Sequence, residues 1–291
     1  ALIASIIPLM VVALITEPWK TVRSADPHLE KVYAAMEDHS SVFRCDRLSF
    51  LTDPTSKSCN LVEAVDPAAA KILLVGNSHA NSIKEALIDR ARVAGYGLRM
   101  LRANEKLGTR GARPKFVLEE VRQHDIDYVI SHSRMYVGVE RMDFHLNAIQ
   151  AMLARADELS FKFIFVDPVP ERDDHVPKAA YQAISLDQPV RLRSKTITDY
   201  EAENGLFLNA LDEIDDPNFK RFDLAPLLCS PDCRFADDDG NLLYLDGDHL
   251  SLTGAEYIGR VWDRLFAFVA DDVNDASTTL RDTKTPSDSR F

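Results

Sequence analysis

The segment AKILLVGNSHANSIKEALIDRA, residues 70–91, determines how this part of the chain folds. Its apolar run at 72–75 is typical of a short buried strand, and the run stops at Gly76. A helical pattern follows, with one apolar face formed by Ala80, Ile83, Leu87, Ala91 and Ala94. Ser78 lies between the strand and the helix. There it can cap the helix, or it can be a nucleophile at the carboxyl edge of a sheet.

Strand-like and helix-like segments alternate from residue 71 onward. Strands are predicted at 71–75 and near 97–102, and in DYVIS (127–131), FKFIFVDPVP (161–170) and FKRFDLAPLLC (219–229). Helices are predicted at 79–94, after Pro114, at 140–158 and near 198–214, and a last helix follows a capping box formed by Thr253 and Glu256. Residues 171–197, with Pro177 and Pro189, are interpreted as irregular. The alternation predicts an α/β fold with a mostly parallel sheet.

The composition of the chain excludes some classes of partner. The chain has 291 residues, 46% of them hydrophobic, and a formal net charge of −12. This size and apolar content permit one large core, which we expect at 69–270. The negative charge argues against nucleic acid and against an anionic membrane surface as main partners.

The two ends of the chain are predicted to lie outside that domain. Residues 1–16, ALIASIIPLMVVALIT, carry no charge, which favours the end of a transmembrane helix of a longer polypeptide. A signal peptide and a buried soluble helix are the alternatives. Residues 17–68 are interpreted as a linker and extension, and residues 271–291, polar and rich in Ser, Thr and Asp, as a disordered tail.

The four cysteines form two local pairs, Cys45 with Cys59 and Cys229 with Cys233. Two disulfides in an oxidising compartment fit this spacing, and the first would close a loop of about 15 residues. A zinc site is the alternative, but no CxxC or HExxH motif accompanies the cysteines. The sequence therefore predicts an extracytoplasmic domain with no metal and no cofactor.

A second polar motif can supply the groups that Ser78 would need as a nucleophile. In LYLDGDHLSLTGAEYIG, residues 243–259, Asp246 precedes His249 by three positions. A serine hydroxyl needs a base to become a nucleophile, and the base needs an orienting carboxylate. The alternative is a polar loop before a helix, with Asp248 or His249 contacting only solvent. The charged loop ERDDHV (171–176) can bind a metal but is interpreted as a solvated loop, and His79 is interpreted as a capping or packed residue.

These motifs resemble those of the SGNH (GDSL-like) hydrolases. VGNSHA (75–80) is similar to their first block and DGDHLS (246–251) to their last. With Cys229 and Cys233 between them, the order is similar to SGNH domains fused to acyltransferase-3 proteins. The resemblance covers about 45–270 and implies a flavodoxin-like three-layer α/β/α fold. It implies Ser78 as nucleophile and oxyanion donor, His249 as base and Asp246 as its orienting group.

The chain departs from the family pattern at two places, and an arginine and a glycine are candidate matches to it. Asn77 stands where the family usually has Asp, and HSRMY (132–136) lacks the Asn that often serves as an oxyanion donor. Arg134 lies where the fused domains often carry an arginine, and it can contact an oxyanion or substrate or form a surface ion pair. Gly108 is the candidate for the glycine of the second block, with Gly111 as an alternative.

The resemblance implies serine-dependent transfer of an acyl group, commonly acetyl, to a cell-surface polysaccharide. Two alternatives remain: an O-acetyl esterase that uses the same residues, and an inactive glycan-binding domain. The expected partners are an acyl donor, a surface glycan and a membrane acyltransferase domain that precedes this segment.

Overall fold

A six-stranded sheet lies at the centre of the chain, in the spatial order β1-β3-β2-β4-β5-β6. The computed structural model describes residues 27–135 and 139–282. The strands are β1 (Ser58–Val62), β2 (Lys71–Val75), β3 (Gly97–Leu101), β4 (Tyr128–His132), β5 (Lys162–Val166) and β6 (Phe219–Phe222). Neighbours from β3 to β6 pair in parallel and β1 pairs antiparallel with β3, so the predicted mostly parallel α/β sheet is confirmed.

Helices connect and cover these strands. The described helices are α1 (Pro27–Glu37), α2 (Ser49–Thr52), α3 (Ser78–Ser82), α4 (Lys84–Ala94), α5 (Pro114–His124), α6 (Val139–Leu153), α7 (Ala156–Leu159), α8 (Val176–Ser185), α9 (Ile197–Asp212), α10 (Ala225–Leu228), α11 (Leu252–Tyr257) and α12 (Gly259–Asp282). The helix predicted at 79–94 is therefore two helices, α3 and α4, separated at Ile83.

The sheet separates two hydrophobic cores. Successive side chains of a strand point to opposite faces, and β2 follows this rule along its whole length. Ile72 and Leu74 belong to the core that also includes residues of α4 and α12. Leu73 and Val75 belong to the core that includes residues of α5 and α6. All four side chains are fully buried, which is expected for a central strand covered by helices on both faces.

The strand order places the end of β2 at a crevice. The chain goes from β2 to β3 on one side and then crosses back to β4 on the other. Parallel sheets bind ligands at such switch points, outside the carboxyl ends of the strands. Val75 pairs with Ser131, so the segments that follow the two strands, 76–78 after β2 and 133–134 after β4, leave the sheet next to each other.

The structure corrects two local predictions. Residues 171–197 are not all irregular, because α8 forms within them. The capping box predicted at Thr253 and Glu256 is wrong: Ser251 caps α11 by accepting a hydrogen bond from the amide of Gly254 at 2.9 Å. Glu256 instead pairs with Arg90 on α4.

The structure also moves the predicted limits of the domain. The segment predicted as a linker at 17–68 contains β1, an integral strand of the sheet. The predicted disordered tail is wrong at 271–282, which continue α12. The apolar residues 1–16 lie outside the described residues, and no helix within the described ranges is long and apolar enough to cross a membrane. Both predicted disulfides, Cys45–Cys59 and Cys229–Cys233, are present.

Candidate active site

The turn after β2 presents Ser78 at the head of α3. Gly76 is required there, because a Cβ atom on it would lie 1.8 Å from the carbonyl oxygen of His132. Asn77 is the N-cap: its Oδ1 accepts from the amides of His79 at 3.1 Å and Arg134 at 3.2 Å. Ser78 is therefore not the cap. As the first residue of a helix, it has an amide without an intrahelical acceptor.

A short loop before α11 carries Asp246 and His249. One oxygen of Asp246 accepts from the amides of Asp248 at 2.9 Å and His249 at 2.8 Å, which closes the loop on itself. The backbone of the loop is also tied to the segment before α8, since the amide of Arg172 donates to the carbonyl of Gly247 at 2.7 Å. These bonds fix where the imidazole of His249 lies.

The fold brings Ser78, His249 and Asp246 together although 171 residues separate the serine from the histidine. The Nε2 atom of His249 lies 2.6 Å from the hydroxyl oxygen of Ser78. Its Nδ1 atom lies 2.9 Å from Oδ2 of Asp246. This arrangement can move the serine proton to a histidine whose other nitrogen is oriented by a carboxylate.

Asp248 is a second carboxylate on the same imidazole, and its role was not predicted from the sequence. Its Oδ1 lies 3.0 Å from Nδ1 of His249. The side chain of Asp248 is 15% exposed, compared with 37% for Asp246, so Asp248 is the better shielded of the two. Its other oxygen is 3.4 Å from Nε2 of His79. The only sequence signal was its position directly before His249.

These contacts set the protonation of the site. Burial by itself lowers the pKa of His249, but hydrogen bonds to Asp246 and Asp248 outweigh it and raise that pKa to about 9. Burial acts in the opposite direction on the two carboxyls, and their hydrogen bonds with His249 nevertheless hold both pKa values below the usual range. Near pH 7 the site therefore favours an imidazolium whose Nδ1 faces two carboxylates.

Arg134, predicted to contact an oxyanion or substrate, lies at the edge of the site in two ion pairs. Its guanidinium contacts Glu171 at 2.5 and 2.8 Å and Asp248 at 2.8 Å. Glu171 belongs to the charged loop that was interpreted as solvated, and this contact corrects that interpretation. Arg134 is 44% exposed, so one face of it remains accessible from solvent.

Gly108, the other predicted oxyanion residue, is engaged elsewhere. Its amide donates to the carbonyl of Ala112 at 2.9 Å. A Cβ atom on Gly108 would lie 3.0 Å from side-chain atoms of Ala148 and Phe144 on α6. Its amide is thus used within its own loop, and the structure does not support the predicted role.

His79 and His132 lie beneath the site and are buried. The ring of His79 is 4.7 Å from that of His249 and 6.1 Å from that of His132. Burial lowers the pKa of both, that of His132 to about 3, so both are neutral near pH 7. The interpretation of His79 as a packed residue agrees with this environment.

One group of side chains in the site has the composition of a metal site. Ligand-type atoms of His79, Asp248 and His249 lie within 4.8 Å of one another. The guanidinium of Arg134 already lies 2.8 Å from Asp248, and His249 already contacts Ser78 through Nε2. A positive group next to the carboxylate opposes a cation there, so the set fits a hydrogen-bonded network better than a metal site.

The chain is similar to several solved structures, among them the following three. The periplasmic domain of a lipopolysaccharide acetyltransferase from Salmonella ser. Paratyphi A has 13% identity and a TM-score of 0.56, over 84% of this chain and 98% of that chain. A GDSL-like lipase from Bacteroides thetaiotaomicron has 13% identity and a TM-score of 0.43, over 78% and 96%. A family 3 carbohydrate esterase from Clostridium thermocellum has 14% identity and a TM-score of 0.41, over 70% and 99%.

At these identities the structural likeness concerns the fold. None of the curated proteins matches the chain significantly. The family model of the SGNH domain that is fused to AT3 (acyltransferase-3) domains matches residues 44–264, which is more than half of the chain. The chain therefore belongs to the family of SGNH domains fused to AT3 domains.

Proposed function

We propose that this domain transfers an acyl group, commonly acetyl, to a cell-surface polysaccharide through an acyl-enzyme on Ser78. The observation that carries the proposal is the 2.6 Å contact between the Ser78 hydroxyl and His249, whose other ring nitrogen contacts Asp246 at 2.9 Å. A serine and a histidine at this distance are within reach for direct proton transfer.

In the first step, the Ser78 oxygen attacks the acyl carbonyl carbon while Nε2 of His249 takes its proton. The Ser78 amide, which heads α3, donates to the developing oxyanion. The bond to the leaving group breaks, and His249 gives that group the proton. In the second step, a sugar hydroxyl gives its proton to His249 and attacks the acyl carbon. The Ser78 oxygen leaves and recovers the proton.

Asn77 does not argue for an inactive domain. Its side-chain oxygen accepts from two backbone amides, and an aspartate would accept the same two bonds. The turn therefore retains its geometry and loses one negative charge next to the nucleophile. A less negative turn suits the formation of an oxyanion.

An extracytoplasmic location is part of the proposal. Two disulfides are typical of oxidising compartments, and the similar Salmonella domain is periplasmic. We infer that a membrane acyltransferase domain, of the kind to which this family is fused, delivers the acyl group.

Hydrolysis is a second candidate, and it differs only in the second step. Ser78 is partly exposed and His249 is 24% exposed, so water can reach the acyl-enzyme. The domain is an esterase if water, and not a sugar hydroxyl, accepts the acyl group.

The test is to incubate the protein with p-nitrophenyl acetate and measure its intact mass over time. We expect a transient acetyl adduct that is absent in Ser78→Ala. Ser82→Ala is the matched control, because Ser82 lies on the same helix and its hydroxyl only donates to the Ser78 carbonyl at 3.3 Å. Full ester cleavage by Ser78→Ala would contradict the proposal.

A second measurement separates the two candidates. An oligosaccharide acceptor is added to the acetylated protein, and the products are analysed by mass spectrometry. An acetylated sugar supports transfer, and free acetate alone supports hydrolysis. A protein that binds the sugar equally well with Ser78→Ala, and forms no adduct, would be a binding domain.

A further inference from the structure

The side chain of Arg44 contacts the turn that presents Ser78, residues 76–78, from a segment outside the sheet. Arg44 lies in the segment before β1 and is only 3% exposed. Its Nη1 donates to the carbonyl of Asn77 at 3.1 Å, and its Nε donates to the carbonyl of Leu101 at 3.1 Å. Its own amide donates to Oδ1 of Asn81, on α3, at 2.7 Å. Arg44 is thus hydrogen-bonded to residues on both sides of Ser78, Asn77 before it and Asn81 after it.

The carbonyl that Arg44 contacts belongs to the peptide group that contains the Ser78 amide. A peptide unit is planar and trans, so its C=O and N–H point in opposite directions along one dipole. A cation on the oxygen draws electrons toward that oxygen and makes the N–H a stronger donor, as in any polarised chain of hydrogen bonds. Arg44 therefore acts on the amide that faces the reacting carbonyl without touching the substrate.

The charge of Arg44 is not neutralised locally. Among the residues that the structure describes, no carboxylate forms an ion pair with it. Its other contact is with the amide oxygen of Asn104 at 3.4 Å. Burial lowers its pKa to about 10, which leaves it charged near neutral pH. A buried cation whose partners are carbonyl dipoles polarises them more strongly than one paired with an anion.

The backbone at Arg44 has an uncommon conformation. Its φ is +57°, in the left-handed region that residues other than glycine rarely adopt. This conformation goes together with a side chain directed into the interior and an amide directed at Asn81. Such outliers persist where the surrounding contacts determine them, and they are frequent at functional sites.

We propose that Arg44 is a positioning residue of the oxyanion site, which orients and polarises the Asn77–Ser78 peptide so that the Ser78 amide donates more strongly. This inference rests on the proposed acyl-enzyme function. A purely structural role, in which Arg44 only attaches the N-terminal segment, would predict a loss of stability without a specific loss of the acylation rate.

The experiment compares Arg44→Met, Arg44→Gln and Arg44→Lys in the full chain. Arg102→Met is the matched control: Arg102 also donates to backbone carbonyls of this segment, those of Ser49, Asp53 and Ser56. Three quantities are measured: the acylation rate constant and the apparent dissociation constant for p-nitrophenyl acetate, the affinity for a boronic acid that forms an anionic tetrahedral adduct with serine, and the melting temperature.

We expect Arg44→Met to acylate roughly tenfold more slowly than the wild type, below the ~10²–10³-fold typical of deleting a direct oxyanion donor. Boronate affinity should fall by a similar factor, with the ester dissociation constant unchanged. Arg102→Met should lower the melting temperature without either effect. If Arg44→Met does not fold, the order of rates wild type, then Arg44→Lys, then Arg44→Gln is the expected result.

Acylation within twofold of the wild type in the folded Arg44 variants would overturn the inference, whatever their melting temperatures. A wild type that forms no Ser78 adduct would instead contradict the proposed function. These two failures are distinguished by the wild-type protein alone.

Discussion

His249 contacts three side chains of the candidate site, the hydroxyl of Ser78 and the carboxylates of Asp246 and Asp248. Its Nε2 faces a hydroxyl, while two carboxylates share its Nδ1 side at 2.9 and 3.0 Å. In the proposed mechanism, both carboxylates stabilise the imidazolium that forms when Ser78 gives up its proton. They also hold the proton in the resting state, and only a neutral imidazole can accept a proton from serine. The second carboxylate therefore raises the pKa of His249. This makes His249 a stronger base, but it lowers the fraction of His249 that is neutral and able to accept a proton.

This balance predicts the pH dependence of acylation. Because the pKa of His249 is raised to about 9, kcat/KM for ester cleavage should rise with pH and level off only above that value. Asp248→Asn removes one of the two groups that raise the pKa, so the inflection should move down toward the ordinary value of about 6.5, by about one unit. The measurement is kcat/KM against pH, corrected for spontaneous hydrolysis.

Asp239→Asn is the control for that profile, since Asp239 is an exposed aspartate outside the site. An inflection that stays in place in Asp248→Asn would mean that Asp246 alone sets the basicity of His249.

Motif spacing alone predicted Ser78, Asp246 and His249 as a group, and the fold brings them into contact. It did not predict Asp248, Glu171 or Arg44. Glu171 and Arg44 contact distant segments, as when Arg44 meets the Asn77 carbonyl, and no local pattern marks such pairs. Asp248 was marked only by its position directly before His249. Gly108 was named from the family pattern, but its amide bonds within its own loop.

At the scale of elements, a buried glutamate on α5 holds the residues that directly precede the edge strand β1. Glu120, on α5, accepts from the Lys57 amide at 2.7 Å and from the Ser56 hydroxyl at 2.7 Å. Its side chain is 1% exposed, and these bonds hold its pKa below the usual range although burial opposes ionisation. Glu120 thus fixes the start of the strand that pairs with β3.

Glu120→Ala should lower the free energy of unfolding by about 2–3 kcal/mol, because it leaves buried donors without their charged acceptor. Glu119→Ala is the neighbouring control. Glu119 is 53% exposed and forms a surface ion pair with Lys57, so its loss should change stability by at most about 1 kcal/mol. Urea denaturation of both variants measures the difference, and equal effects would contradict this account of β1.

The alternation of apolar runs was enough to predict the parallel strands, but not every helix. Pro177 suggested an irregular segment, whereas it lies in the first turn of α8, where proline is tolerated. The polar composition after Asp271 suggested disorder, yet α12 continues there. Asp272 explains part of this, since it accepts a hydrogen bond from Tyr128 on β4 at 2.6 Å. Composition could not reveal that contact.

At the scale of the whole molecule, the segment before β2 joins both halves of the site. Arg44 contacts the turn that presents Ser78. Asp38 contacts the helix after His249, since its carboxylate accepts from the amide of Thr253 at 2.8 Å. β1 covers the edge of β3, and the Cys45–Cys59 disulfide closes the loop that leads into β1. The segment interpreted from its composition as a linker is therefore part of the catalytic unit that we propose.

Two shortened forms test this account, one that begins at residue 27 and one that begins at residue 69. The second loses β1 and Arg44, which exposes the unpaired edge of β3 and leaves the Asn77 carbonyl without its cation. We expect the form from residue 27 to melt cooperatively and to acylate Ser78, and the form from residue 69 to aggregate or to lose its cooperative transition. Circular dichroism and intact mass after p-nitrophenyl acetate give both readouts.

The double variant Cys45→Ser/Cys59→Ser separates the covalent link from the contacts. It keeps β1 and Arg44, so it should retain acylation while losing about 3 kcal/mol of stability, the value expected for a loop of about 15 residues. If the form from residue 69 folded and acylated as well as the form from residue 27, the segment would be the linker that its composition suggested. If the double variant lost acylation while still folded, the disulfide itself, and not only the segment, would hold Arg44 at the Asn77 carbonyl.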